Sequence, residues 1–159
     1  MTATSPSPPG ESSLGEPPPG FQALLGFELA DWRPGEAEVV LQPQARHMNR
    51  GGAPHGGVIA TLIDVAGGYA GCHCPHPGRV ISAQTVSLSV SFLGRARGGI
   101  LRARGRRIGG GRRIFFARVE ISGDDGTLVA SGEASYAYRH GYAPPDGGPM
   151  AELLARRDE

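Results

Sequence analysis

Lysine is absent: all 16 basic residues are arginine. Arginine is the side chain of planar, forked contacts with phosphate and carboxylate, but complete exclusion of lysine fits a GC-rich coding sequence better than a binding role. Fifteen acidic residues bring the net charge to +1, which leaves no global field to call for nucleic acid or an anionic membrane. Cysteine is scarce too. Cys72 and Cys74 are the only two, and residues this close rarely form a structural disulfide; a disulfide scaffold is excluded and a reducing compartment fits. With His73 and His76 they carry the donor types of a metal site, yet a structural zinc site usually needs a second, separated ligand pair, so no metal is expected. No apolar run approaches the ~20 residues of a membrane span, and the first residues lack the basic start and apolar core of a secretory signal. The expectation is a cytoplasmic protein with neither a nucleic-acid nor a membrane partner.

What is present suffices for one domain: 159 residues, 39% of them hydrophobic, can enclose a single core. The 26 glycines and 14 prolines concentrate in the first twenty residues and in the turns. Residues 1–20 should form a flexible tail, 21–139 the folded domain, and 140–159 a second tail with a last helical turn over 150–157. Phe21, Leu24, Leu25 and Leu29 recur at helical spacing and predict a short helix. Ala37, Val39 and Leu41 alternate as a first strand. Apolar residues surround every turn of 56–71, which predicts one long helix buried nearly all round. Thr85, Ser87, Ser89 and Ser91 alternate with Val86, Leu88, Val90 and Phe92, the period of a half-buried strand. Three more strands follow as a meander: 100–108 and 114–122, joined across Gly109-Gly110-Gly111, then 128–139 after the turn at 123–126. The fold class is α+β, an antiparallel sheet wrapped around one long central helix. No internal repeat is found.

The chemistry concentrates between residues 47 and 64: His47-Met48-Asn49-Arg50-Gly51-Gly52-Ala53-Pro54-His55-Gly56-Gly57-Val58, running into the helix that carries Asp64. A glycine-rich approach to an apolar helix leaves unpaired N–H groups at its start, with the positive end of the dipole behind them; such an end can hold an oxyanion. Gly56 and Gly57 also let a ligand approach the backbone, although for glycines alone close packing is the better explanation. Asp64 shifts the balance. It is a poor helix former placed among Leu62, Ile63, Val65 and Ala66, and a carboxylate in apolar surroundings is the usual signature of an acid–base group. An Asp paired with an arginine, or facing a solvated groove, is the plainer alternative. Gly56 and Asp64 are eight positions apart, ~12 Å along a helix. If both act on one carbonyl, they must come from different subunits, and a homodimer follows.

Asn49 and Gly52 before His55-Gly56-Gly57-Val58, Thr61-Leu62 before Asp64, and Thr85 leading to Phe92-Leu93 together make the chain resemble the hotdog-fold acyl-CoA thioesterases of the PaaI-like, phenylacetate-pathway type. The resemblance covers roughly 21–138. It implies dimers with a continuous sheet, often paired into homotetramers, an acyl-CoA substrate and no cofactor. It makes Asp64 the general base or nucleophile and the Gly56 amide the donor to the thioester oxygen. Asn49 would sit beside that oxygen or hold the attacking water. His55 would place substrate, with a capping contact as the plain alternative, and Thr85 would supply a hydroxyl near the carboxylate. Gly57 and Ser87 are further substrate-binding candidates. Where family members commonly follow Phe-Leu with Arg-Pro, this chain has Gly94-Arg95-Ala96. Arg95, Arg97, Arg112 and Arg113, with the amides of Gly110 and Gly111, are candidates for the coenzyme A phosphates; arginines on alternating strand positions are as often a solvated face. Two rivals share the fold: a non-catalytic acyl-CoA-binding protein, and an enoyl-thioester dehydratase or hydratase, whose typical Pro-Gly-Val helix start is replaced here by His55-Gly56-Gly57.

Overall fold

The computed structural model describes residues 20–96 and 98–155. Residues 1–19 of the expected N-terminal tail, Arg97, and the last two positions of the turn expected over 150–157 lie outside them. In chain order the elements are helix α1 (Gly20–Leu25), strands β1 (Glu28–Arg33) and β2 (Glu36–Leu41), a 3-10 turn (Ala45–His47) and helix α2 (Gly56–Gly71). There follow β3 (Arg79–Val80), β4 (Ala83–Phe92), β5 (Leu101–Gly110), β6 (Ile114–Ser122), β7 (Leu128–Tyr138), β8 (Gly148–Pro149) and helix α3 (Met150–Ala155). Six strands form one antiparallel sheet in the order β1-β2-β5-β6-β7-β4, while β3 pairs only with β8. Helix α2 touches all six strands of the large sheet. This is the α+β arrangement expected.

The core lies between α2 and the sheet. Val58, Ile59, Leu62, Ile63, Ala66, Gly67 and Ala70 are the buried residues of α2, the i, i+3, i+4 stripe of a helix lying on a surface. Their partners include Val39, Leu41, Leu101, Ala103, Val119 and Ile121, and each large aliphatic side chain buried here contributes about 1.5–3 kcal/mol. The expectation of a helix buried nearly all round is corrected: within one chain the face carrying Asp64, Val65 and Gly68 is half-open. Small residues bring the layers together. A side chain at Gly105 would collide with the Ala66 carbonyl, and one at Gly71 with the Phe115 ring.

Three local differences from the sequence expectation matter. The first helix ends at Leu25 because Gly26 takes a φ of 76°, and residues expected to extend it, Leu29 included, start strand β1 instead. Its apolar face is not the buried one either: Phe21 and Leu24 are exposed and Gln22 is buried. Gly109 and Gly110 belong to β5 rather than to the turn, after a bulge between Arg107 and Gly109. At Gly110 φ is 125° and any side chain would strike Phe115, so glycine is required there by backbone and space alike.

The third difference is in β4. Thr85 pairs with Tyr136 but Ser87 pairs with Ser135, so two steps on β4 match one on β7. A bulge of this kind inserts an extra residue, here Val86, and reverses the faces beyond it. Thr85 therefore points to the α2 side along with Leu88, Val90 and Phe92, while Ser87, Ser89 and Ser91 point to the opposite face.

Candidate active site

The start of α2 is assembled by short-range hydrogen bonds. Met48 and Pro54 form a bridge that closes the loop between them. At its base Asn49 Oδ1 accepts from the Gly51 and Ala53 amides at 2.9 and 3.2 Å. His55 N–H donates to the carbonyl of the buried His47 at 2.7 Å. His55 is the N-cap of α2: its Nδ1 accepts from the Gly57 amide at 2.9 Å and its carbonyl from the Val58 amide at 2.9 Å. The Gly56 N–H is thereby singled out, with no acceptor in the hydrogen bonds among the described residues. It stands where the helix dipole is positive, as an oxyanion donor requires. The Phe92 ring lies 3.3 Å from where a Cβ on Gly56 would stand.

Two sequence candidates change role here. The Gly57 amide is occupied by His55, which removes it as a donor to substrate, and the capping alternative for His55 is what the structure displays. Asn49 has committed its carboxamide oxygen to the loop, which leaves its NH2 as the group able to face a ligand.

Asp64, two turns along α2, is half-buried and held from two sides. Thr85 Oγ1 donates to its Oδ1 at 2.7 Å. Tyr136 Oη donates to its backbone carbonyl at 2.8 Å, while the Tyr136 ring stacks on Phe115 with centroids 4.7 Å apart. Burial and the nearby Asp64 carboxylate hold the Tyr136 phenol protonated well above the usual tyrosine range. Tyr136 was not among the sequence candidates. Its one signal is a large aromatic in a strand otherwise made largely of small residues, 72 positions from the residue whose backbone carbonyl it holds.

Asp64 and Thr85 open on a cavity of about 360 Å³ between α2, α1 and the start of β4. Phe21, Phe27, Tyr69 and Tyr136 supply aromatic wall, with Gly68 and Ile81 between them. The small side of α2 thus serves two ends: a side chain at Gly67 would strike the Tyr136 hydroxyl, whereas one at Gly68 would make an ordinary contact at 3.5 Å. Gly67 and Gly71 allow close packing, and Gly68 leaves room. Cys72 also lines the cavity, its thiol pushed up to about 12 by burial, which leaves it a small apolar group at neutral pH. The Cys72–His76 segment does not gather as ligands: Cys74 Sγ faces the His76 and Asp146 carbonyls, and the His73 ring packs edge-on against Trp32. Among the described residues no group of three His, Cys, Asp or Glu side chains is placed to hold a metal.

The remaining candidates are not brought together. Ser87 lies on the sheet face away from Asp64, bonded to Ser135 at 2.7 Å; the Val86 bulge put it there. Arg95 donates to the Gly51 carbonyl beside the start of α2. Arg112 and Arg113 are exposed on the β5–β6 turn, next to the end of β6 that packs on Gly71 at the other end of α2. The Gly111 amide is taken by Ile114 at 2.8 Å and is not free for phosphate; Gly110, turned by its φ and paired with Phe115, is part of the sheet. Arg97 lies outside the described residues. In one chain the basic groups are separated by the length of α2, ~24 Å.

Known proteins share the fold. Residues 51–130 match the family model described as Thioesterase superfamily. A Halobacterium salinarum protein provisionally named an esterase is 34% identical over 85 residues, 52% of this chain and 56% of that protein; the chain thus spans little more than half of that relative's length. A medium/long-chain acyl-CoA thioesterase of Salmonella typhimurium is 28% identical over 129 residues, 73% of this chain and 83% of that enzyme. Among solved structures, a mutant of the phenylacetic acid degradation protein PaaI from Thermus thermophilus is similar with a TM-score of 0.63 at 27% identity, over 74% of this chain and 96% of that one.

Proposed function

The chain belongs to the thioesterase superfamily, and from that premise we propose that it is an acyl-CoA thioesterase of the PaaI-like type, releasing a free acid and coenzyme A at a site shared by two subunits. The observation that carries this reading is the Asp64 carboxylate, held at one oxygen by Thr85 and facing an apolar cavity. In its role as base, Asp64 takes a proton from water as the water oxygen adds to the thioester carbonyl. As nucleophile it would add to that carbon itself, and water would release the acid afterwards. Either way the negative charge moves to the carbonyl oxygen, where the Gly56 N–H and the Asn49 NH2 are suited to receive it. Collapse breaks the C–S bond and coenzyme A leaves as the thiolate, which takes the proton held by Asp64 in the first route and one from solvent in the second.

Pairing along β4 supports the shared site. β4 ends the sheet with one edge unpaired, carries no charge over its 10 residues, and exposes Val86, Leu88 and Phe92. The Gly56 amide lies at its Phe92 end and Asp64 at its Thr85 end, ~12 Å apart along α2. Two copies pairing antiparallel about the middle of β4 would set the Phe92 end of each beside the Thr85 end of the other. The same operation would carry Arg95 towards Arg112 and Arg113 of the partner subunit, where phosphates of coenzyme A could bridge them. Further pairing into a tetramer would find exposed Ile108, Ile114 and Phe116.

The test is hydrolysis of an acyl-CoA panel read with a thiol reagent, followed by mixing two inactive variants. Asp64→Asn and Gly56→Pro each remove one half of the site; proline deletes the donor N–H where a helix best tolerates it. Refolded mixtures should regain activity through mixed dimers carrying one intact site. No turnover of any acyl-CoA overturns the enzyme assignment, and folded mixed dimers without activity overturn the shared site.

A further inference from the structure

The loop that carries Asn49 is closed on itself. Met48 and Pro54 bridge its neck, the Asn49 N–H donates to the Ala53 carbonyl at 2.8 Å, and the Gly52 N–H donates to the Asn49 carbonyl at 3.0 Å. Asn49 Oδ1 takes the Gly51 and Ala53 amides as well. All of these bonds run within residues 48–54. They give the loop its shape but do not fix where its tip stands against the sheet, and that tip, residues 50–52, is exposed. Among the described residues one hydrogen bond reaches the tip from another part of the fold: the Arg95 guanidinium donates to the Gly51 carbonyl, 44 positions away. Arg95 is itself held in place to do so. The Leu93 and Gly94 amides both donate to the Val129 carbonyl, at 2.9 and 3.0 Å, and a Cβ at Gly94 would stand 2.7 Å from the Leu128 carbonyl oxygen, so only glycine lies this close. On the other side Ala96 is buried in the core. Both chain neighbours of Arg95 are thus fixed, and a charged donor makes its hydrogen bond one of the stronger kinds.

We propose that Arg95 is a positioning residue: it holds the 48–54 loop against the end of β4 and so sets where the Asn49 NH2 meets the developing oxyanion. This rests on the thioesterase reading above. A donor to an oxyanion is effective only when its supports hold it to within about 0.5 Å of the productive place, and a loop bonded chiefly to itself needs such a support from outside. Arg95 thereby takes a part in turnover that does not pass through the phosphates of coenzyme A. The departure of this chain from the Arg-Pro that commonly follows Phe-Leu acquires a use as well: with glycine at 94 and a buried alanine at 96, the arginine stands one position later and reaches Gly51.

The experiment uses Arg95→Met, which keeps an unbranched stem and removes every donor. Two substrates with the same acyl group are compared: an acyl-CoA turned over in the panel above, and the thioester of that acid with N-acetylcysteamine, which carries no phosphate. Loss of the tie should lower kcat by about fivefold on both, the worth of one hydrogen bond. In an Asn49→Ala background the same substitution should cost nothing further, since the group it positions is gone; a general loss of structure would add to the effect of Asn49→Ala instead. A loss confined to the acyl-CoA, or one repeated in full beside Asn49→Ala, overturns the proposal. Hydrogen exchange at the Gly51, Gly52 and Ala53 amides needs no substrate and should quicken about fivefold in Arg95→Met. Turnover of acyl-CoA with unchanged exchange removes the role of Arg95 and keeps the enzyme assignment. Quickened exchange in a protein that turns over no acyl-CoA removes the enzyme assignment and leaves Arg95 holding the loop.

Discussion

The two edges of the sheet are built on opposite plans. β1, six residues long, carries Glu28, Asp31 and Arg33 and is bulged between Leu29 and Asp31. Charge, shortness and a bulge are the usual means of preventing an edge from pairing with another chain. β4, at the other edge, is ten residues long, uncharged and rich in exposed apolar side chains. Its bulge is at one end, between Thr85 and Ser87, and leaves the rest regular. One edge is closed to association and the other left open to it, on the side that carries Asp64 and Gly56. Association and catalysis are thus expected to share β4.

The sharpest way to separate the chemistry from the edge is Asp64→Asn. It should lower turnover about a hundredfold or more while the proposed dimer stays intact by size-exclusion chromatography, because shape is kept and the proposed base is lost. Next, Leu88→Lys in β4 should shift the protein to monomer and lower activity at least about tenfold, whereas Ala30→Lys in β1 should change neither. Equal effects at both edges would abolish the contrast drawn between them. Asn49→Ala should cost about tenfold, less than Asp64→Asn, since the Gly56 amide, the other proposed donor, is kept; a larger loss would exchange their ranks. In α2, Gly67→Ala should lower stability by about 1–3 kcal/mol in urea titration, as it displaces the Tyr136 hydroxyl. Gly68→Ala, one residue along, should be neutral or stabilising, because alanine favours the helix and the space exists.

The smallest effect is one of pH. The Cys72 thiol is raised from 9.0 to about 12 in the folded chain. Below about pH 9 the thiol is neutral folded or unfolded, and its full contribution is present. Above it the unfolded chain loses the proton first, so stability falls as pH rises towards the folded value. Unfolding midpoints should drop by about 1 kcal/mol in free energy between pH 8 and 10, and Cys72→Ala should flatten that slope.

Much of the site was legible because it is local. The capped, glycine-rich start of α2, the helix bounds of 56 and 71, and the odd placement of Asp64 are all properties of neighbours in the chain. Thr85 was legible only through resemblance. Ser87 was misplaced for a definite reason: strict alternation assigns 85 and 87 to one face, and the bulge that separates them depends on how β4 registers with β7. Of the arginines chosen as one group, Arg95 lies at one end of α2 and Arg112 and Arg113 at the other, since antiparallel strands carry the chain from the end of β4 away from the β5–β6 turn.

By itself the sequence determined the course of β2, β5, β6 and β7 to within a few residues, the extent of the central helix, and the place of its glycine-rich start. These follow from backbone geometry and the spacing of apolar side chains over a few residues. Only the tertiary structure decided that Tyr136 anchors Asp64, that Gly68 rather than Gly67 borders open space, and that Gln22 is buried while Phe21 is not. Each of those depends on which surfaces meet across dozens of residues, and burial belongs to the packed pair of surfaces rather than to either stretch of chain.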